Sequence, residues 1–190
     1  MIAAVVLAAG ASARLGEPKQ LVKLAGETLL ERAVRTAREA GCSPVVVVLG
    51  AGYVEILGYS QLGDAVPVIN AEWAEGMASS IRLGVRTVSL VAKEATGVVL
   101  MACDQPAVTA PHLRSLTASG KLTASAYSGR NGIPAYFPAS AFAQLMQLRG
   151  DKGARDLVRE AAAIELPEGE LDVDTAIDLD EAQWLFGNRS

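Results

Sequence analysis

Arg14, Lys19, Asp104, Asp172 and Asp174 are the residues of this 190-residue chain whose types and settings could do chemistry together. Arg14 and Lys19 stand in a loop of small residues, Leu7-Ala8-Ala9-Gly10-Ala11-Ser12, continued to Gly16-Glu17-Pro18-Lys19, in which Glu17 is the sole acid. Small residues let backbone N–H groups approach a ligand closely, and several such groups in one loop form an anion-binding concavity. Two cations beside it suit a polyphosphate. Asp104 follows the apolar run Gly97–Ala102 and would project a carboxylate from a strand end. In Asp172-Val173-Asp174-Thr175, an extended backbone would turn both carboxylates to one side. Hard oxygens of this kind suit Mg²⁺, which binds through one or two carboxylates and keeps substrate phosphates and water in its remaining positions. Asp104 is therefore the first metal candidate and Asp174 the second, with Asp172 behind it. The plainer roles are a turn-forming Asp104 and a helix cap at Asp174 or Thr175.

The loop is not one of the two commonest phosphate loops. Gly10 and Gly16 are separated by five residues and Glu17 stands where a P-loop needs Lys. The dinucleotide pattern G-x-G-x-x-G is absent there too. Two further loops carry polar groups. Gly76-Met77-Ala78-Ser79-Ser80 precedes a helix, where glycine and serine can accept a base closely, although a serine cap explains the same residues. Gly150-Asp151-Lys152-Gly153-Ala154-Arg155 offers Lys152 and Arg155 to an acceptor phosphate, or a solvated pair at a helix start. His112, the only histidine, is read as a surface-helix residue, so nucleophilic triads are excluded. Trp73, Trp184, Tyr53 and Tyr59 are read as packing residues.

Apolar runs at Ile2–Ala8, Pro44–Leu49, Val66–Ile69 and Gly97–Ala102 have strand length and no polar alternation, as strands covered on both faces require. Between them, Thr28–Ala40, closed by Gly41, and Ser79–Ala92 repeat apolar residues at helical spacing. The alternation predicts an α/β layer fold with a mostly parallel sheet. After Pro111 a helix over about 110–119 leads to Leu122–Ser128 and Ile133–Phe137, joined through Gly129–Gly132, which predicts an antiparallel component. Helices are expected at Ala139–Leu148, Ala154–Ala163 and Thr175–Phe186. In such folds ligands bind beyond the carboxyl ends of the parallel strands, where the Gly10 loop and Asp104 would both lie.

The length makes one domain over residues 1–190 the expectation. A net charge of −4 gives no general attraction to nucleic acid or anionic membrane, so phosphate binding must be local. The charges agree: Arg14, Lys19 and Lys23 cluster early, while Glu165 to Glu181 holds eight acids and no base. Cys42 and Cys103 show no metal or redox spacing and are expected to be reduced. The run Ile2–Ala9 is too short to span a membrane and lacks a basic flank, so a cytoplasmic protein without a signal peptide is expected.

The pattern L-A-A-G-x-S-x-R-x-G-x-P-K-Q-L resembles the N-terminal signature of glycosyltransferase-A-like nucleotidyltransferases, and most closely the MobA-like, molybdenum-cofactor cytidylyltransferase branch. Matching segments near residues 7–30, 76–84, 101–106, 129–137, 150–155 and 172–179 occur in the family's order. The resemblance implies a three-layer Rossmann-like fold. It implies Mg²⁺-dependent transfer of NMP from an NTP, CTP first, to a phosphorylated acceptor of molybdopterin type, with release of pyrophosphate. Arg14, Lys19 and Asp104 would be catalytic, and Leu7, Ala8, Ala9, Gly10, Ser12, Gly76, Ser79 and Ser80 would join them around the nucleotide. Gly132, Pro134, Lys152 and Arg155 would hold the acceptor, and Asp104 with Asp174 the metal. Ile133 stands where many cytidylyltransferase relatives have His, which leaves the acceptor open. A molybdoenzyme receiving the product is a further partner so implied. The alternatives are guanylyl transfer, a sugar- or alditol-phosphate acceptor, and a nucleotide-binding accessory protein without turnover.

Overall fold

The computed structural model describes residues 1–12 and 14–187. β1 (Ile2–Ala8) enters the small-residue loop, and a short hairpin of β2 (Lys23–Leu24) and β3 (Glu27–Thr28) leads to α1 (Leu29–Glu39). β4 (Val45–Leu49), α2 (Tyr53–Tyr59), β5 (Val66–Ile69), α3 (Met77–Val91) and β6 (Gly97–Ala102) follow. The chain continues through α4 (Ala110–Thr117), β7 (Thr123–Tyr127), β8 (Arg130–Pro138), α5 (Phe142–Leu145), α6 (Arg155–Val158), β9 (Ala162–Glu165) and α7 (Ala176–Phe186).

Seven strands form one sheet in the order β5-β4-β1-β6-β8-β7-β9. β1 pairs in parallel with β4 and β6, and β4 with β5, whereas β8 runs against both β6 and β7. The expected mostly parallel sheet with a C-terminal antiparallel part is therefore present. Successive residues of each central strand face opposite layers. Ala4, Val6, Val47, Leu49, Val99 and Met101 pack with α1 and α4 residues such as Leu30, Val34 and Leu113. Ala3, Val5, Val46, Val48, Val98 and Leu100 pack with Ile81, Val85 and Val88 of α3. Both faces are apolar because both are covered, which explains the unbroken Val-rich runs.

Three helices start where the sequence signals them. Thr28 caps α1 and Thr175 caps α7, each in a reciprocal capping box with Glu31 and Asp178, and Thr109 caps α4. The expected helix at Ala154–Ala163 is a correction: only Arg155–Val158 is helical, and Ala162–Glu165 is β9, paired with Thr123–Ala126 of β7. The Asn131 side-chain amide donates to the carbonyls of Val158 (3.0 Å), Arg159 (3.3 Å) and Ala161 (3.0 Å), so those carbonyls are satisfied without a continuing helix. An open ladder on β7 then overrides the helical preference of alanine. The helix expected at Ala139–Leu148 reduces to a 3₁₀ turn at Ala139–Ala141 and the four residues of α5. The hairpin turn is also shorter than expected. Ser128 and Gly129 take left-handed φ of 48° and 72°, and β8 begins at Arg130.

His112 lies in the first turn of α4 as expected, but it is half-buried rather than exposed. Its Nε2 is 2.8 Å from Ser125 Oγ, and burial holds its pKa below the usual histidine value. The packing expected of the aromatics fails for Trp184 and Tyr59, which are 81% and 75% exposed.

The approach of α3 to the sheet depends on Gly84. A Cβ there would lie 2.4 Å from Val5 Cγ1 in a fully buried strand. Gly84→Val is expected to cost about 1–3 kcal/mol or more, because neither α3 nor β1 can give way cheaply. Urea denaturation measures it, and an unchanged midpoint would contradict the packing described.

Candidate active site

The site is built at the carboxyl ends of β1 and β6. Gln20, fully buried, sets the loop after β1: its Nε2 donates to the carbonyls of Ala8 (2.7 Å) and Gly10 (3.2 Å). Ser12 Oγ donates to Gln20 Oε1 (3.4 Å) and accepts from the Lys19 backbone N–H (3.0 Å). Ser12 thus shapes the loop, with a left-handed φ of 52°. Gln20 is a positioning residue that motif reading passes over, because a buried glutamine differs from an exposed one only in context.

Asp104 follows β6 and is 8% exposed. Its carbonyl accepts from the Val173 N–H (2.9 Å), which ties the segment before α7 to the strand end. That bond places Asp174 beside Asp104. Lys19 Nζ donates to Asp104 Oδ2 in a short contact and to Asp174 Oδ1 at 2.8 Å, while Arg14 Nη2 donates to Asp174 Oδ2 at 2.7 Å. Burial alone would favour the neutral amine at Lys19. The Asp104 charge and the hydrogen bonds to Asp104 and Asp174 outweigh it, so the ammonium is held above the usual lysine range. Thr175, not Asp174, supplies the cap of α7, which leaves both Asp174 oxygens to the cations.

Asp172 takes no part in this bridge. It lines a neighbouring cavity, where burial of its carboxyl and the charges of Asp104 and Asp174 push it up to about 7.

Two cavities meet at Asp104. One, of about 390 Å³, is lined by Leu7, Ala8, Ala9, Gly10, Lys19, Gly76 and Ser80. Trp73 also lines it, a contribution hidden at the sequence level by its reading as a packing residue. The other, of about 190 Å³, is lined by Gly132, Ile133, Lys152, Arg155 and Asp172, with Tyr127 and Arg130. Met77, Ala102, Asp104 and Asp151 line both. Five expected site residues stand outside these linings, among them Asp174, which is held by Arg14 and Lys19. Arg14 is exposed against Asp174, and Ser12 is turned into its own loop. Ser79 Oγ lies within hydrogen-bond distance of the Gly76 (2.8 Å) and Glu72 (3.0 Å) carbonyls and accepts from Asn70 Nδ2 (2.8 Å). Pro134 is buried in β8. Asn70, 4% exposed, also donates to Ser80 Oγ and so fixes the start of α3, another role that the sequence reading missed.

The donor set fits a divalent cation. Asp104 and Asp174 converge on one cationic atom, and two carboxylates with phosphate oxygens and water suffice for Mg²⁺. Among the described residues no group of three or more His, Cys, Asp or Glu is arranged to hold a metal, so substrate oxygens would complete the shell.

A sheet of parallel central strands with an antiparallel C-terminal part, covered by helices on both faces, is the Rossmann-like fold of nucleotidyltransferases. The chain belongs to the MobA-like NTP transferase domain family, which it matches over residues 4–165. It is 33% identical over 171 residues to nicotine blue oxidoreductase of Paenarthrobacter nicotinovorans, covering 84% of this chain and 82% of the relative. It is 31% identical over 168 residues to a probable molybdenum cofactor guanylyltransferase of Opitutus terrae, covering 86% and 79%. The crystal structure of Rv0371c from Mycobacterium tuberculosis superposes with a TM-score of 0.82 at 32% identity over 96% of this chain and 97% of that one. A manganese complex of Rv0371c superposes with a TM-score of 0.78 at 30% identity, covering 96% and 98%.

Gln20→Leu would leave the carbonyls of Ala8 and Gly10 without their donor, a local cost of about 1–3 kcal/mol. Amide exchange across residues 9–19 is expected to rise accordingly while exchange in β4 stays as in the wild type, read by mass spectrometry. Equal exchange in the loop would remove Gln20 from its positioning role.

Proposed function

We propose that this chain transfers a nucleoside monophosphate from an NTP to the phosphate of an acceptor and releases pyrophosphate. CTP is the first base and a molybdopterin-type phosphate the first acceptor, with Mg²⁺ as the metal and a molybdoenzyme as recipient of the product. The observation that carries the reading is Lys19 held between Asp104 and Asp174 where two cavities meet. The 390 Å³ cavity, with the Gly10 loop, Gly76, Ser80 and Trp73, is the nucleotide side. The 190 Å³ cavity, with Gly132, Lys152 and Arg155, is the acceptor side.

An acceptor phosphate oxygen attacks the α-phosphorus as the bond to the bridging oxygen of the β-phosphate breaks, and pyrophosphate leaves. The nucleophile is already ionised at neutral pH, so no general base is required. Catalysis is then positioning and charge neutralisation. A metal held by Asp104 and Asp174 would neutralise phosphate charge when bound. Lys19, held between those carboxylates, and Arg14, held on Asp174, would supply positive charge to the phosphates. The manganese complex of Rv0371c supports a divalent ion in this fold. The relative named for guanylyl transfer supports GTP as the second base.

The test is pyrophosphate release with Mg²⁺, each of the four NTPs in turn, and molybdopterin or its metal-bound form. Release with CTP alone is expected; release with GTP alone would correct the base, and silence with all four would contradict the reading. Lys19→Ala is expected to lower the rate by about 10²–10³, the scale of one lost preorganised donor. Unchanged turnover would remove Lys19 from the chemistry.

A further inference from the structure

The acceptor-side cavity adjoins a cleft of about 270 Å³ lined by Gly129, Arg130, Asn131, Arg155 and Arg159. Arg130, Asn131 and Arg155 line both spaces. Three arginines thus line one small cleft. The Asn131 amide gathers the carbonyls of Val158, Arg159 and Ala161 onto the start of β8, which brings the end of α6 beside Arg130. Arg159 is paired with Asp156, whereas Arg130 and Arg155 have no ion pair among the described residues. Arg130 lies over the Tyr127 ring, 5.8 Å from its centroid. Besides Asp156, which pairs with Arg159, the acids Asp151 and Asp172 line the other cavity and not this cleft.

We propose that Arg130, Arg155 and Arg159 form a second anion subsite that takes a negatively charged group of the acceptor remote from its reacting phosphate. The inference rests on the transferase reading above and narrows its substrate. The acceptor is then an ester with anionic groups at both ends, its reacting phosphate beside Asp104 and Lys152. Its middle lies along the apolar wall of Ile133, Ala154 and Val158. Guanidinium groups suit such a group because they offer forked donors to phosphate or carboxylate oxygens and stay charged at any physiological pH.

Two measurements test it on the full chain, saturated with Mg²⁺ and the non-hydrolysable α,β-methylene analogue of CTP so that the nucleotide side is filled. In the first, inorganic phosphate is titrated while the arginine Nε–H resonances are followed by NMR. Arg130, Arg155 and Arg159 are expected to shift together, with a common Kd about tenfold or more tighter than that at the exposed Arg86. Shifts that follow Arg86 would mean an adventitious ion only and would overturn the subsite. In the second, Arg159→Gln is expected to raise the acceptor KM about tenfold while the NTP KM stays at its wild-type value. An unchanged acceptor KM would overturn the assignment of the cleft to the acceptor. Should no acceptor support pyrophosphate release, the transferase reading falls, and the phosphate titration alone decides whether the anion subsite exists.

Discussion

One ammonium group between two carboxylates is the constraint around which this molecule is arranged. Asp104 and Asp174 lie 70 residues apart in the chain and share the Nζ of Lys19. Brought together without a cation, the two acids would repel in a partly buried setting where water screens them poorly. The ammonium removes that cost and holds the spacing of the acids. The same spacing would suit a divalent ion completed by phosphate oxygens and water, which is the metal site proposed above.

The sheet exists, for this purpose, to bring three distant segments to one edge. β1 delivers the Gly10 loop, β6 delivers Asp104, and the bond from the Val173 N–H to the Asp104 carbonyl delivers Asp174. Both faces of the central strands are sealed by apolar residues, so loops change at the carboxyl edge without disturbing the layers. Gln20 and Asn70 play parallel parts in shaping the segments that line the 390 Å³ cavity. Each is a buried amide: Gln20 donates to the carbonyls of the loop after β1, and Asn70 donates to the Ser79 and Ser80 hydroxyls at the start of α3.

The sequence made the central strands legible because Val45 to Leu49 and its counterparts are covered on both faces and carry no polar alternation. It made α1 and α7 legible through Thr28 and Thr175. The edges were harder. β9 is an alanine-containing segment whose strand state comes from the free ladder of β7 and from Asn131, neither of which a local pattern contains. In the site, Arg14, Lys19, Asp104 and Asp174 could be picked out as charges in unusual settings, and they do meet. Ser79 and Pro134 could not be separated from cavity-lining neighbours, because which way a side chain turns depends on partners far along the chain. Asp172 and Asp174 are alike in sequence, and the bonds of Val173 to Asp104, of the Asp174 N–H to Asp178 and of Arg14 to Asp174, all from partners that a local pattern does not show, accompany the meeting of Asp174 with Lys19.

The most direct test of this account is Mn²⁺ affinity in the nucleotide-free protein, read by electron paramagnetic resonance of the free ion. If Lys19 occupies the cation position between Asp104 and Asp174, Lys19→Gln will bind Mn²⁺ more tightly than the wild type, because the competing ammonium is gone. Asp104→Asn and Asp174→Asn will each bind it more weakly. Equal affinity in all four proteins would place the metal elsewhere and contradict the central claim.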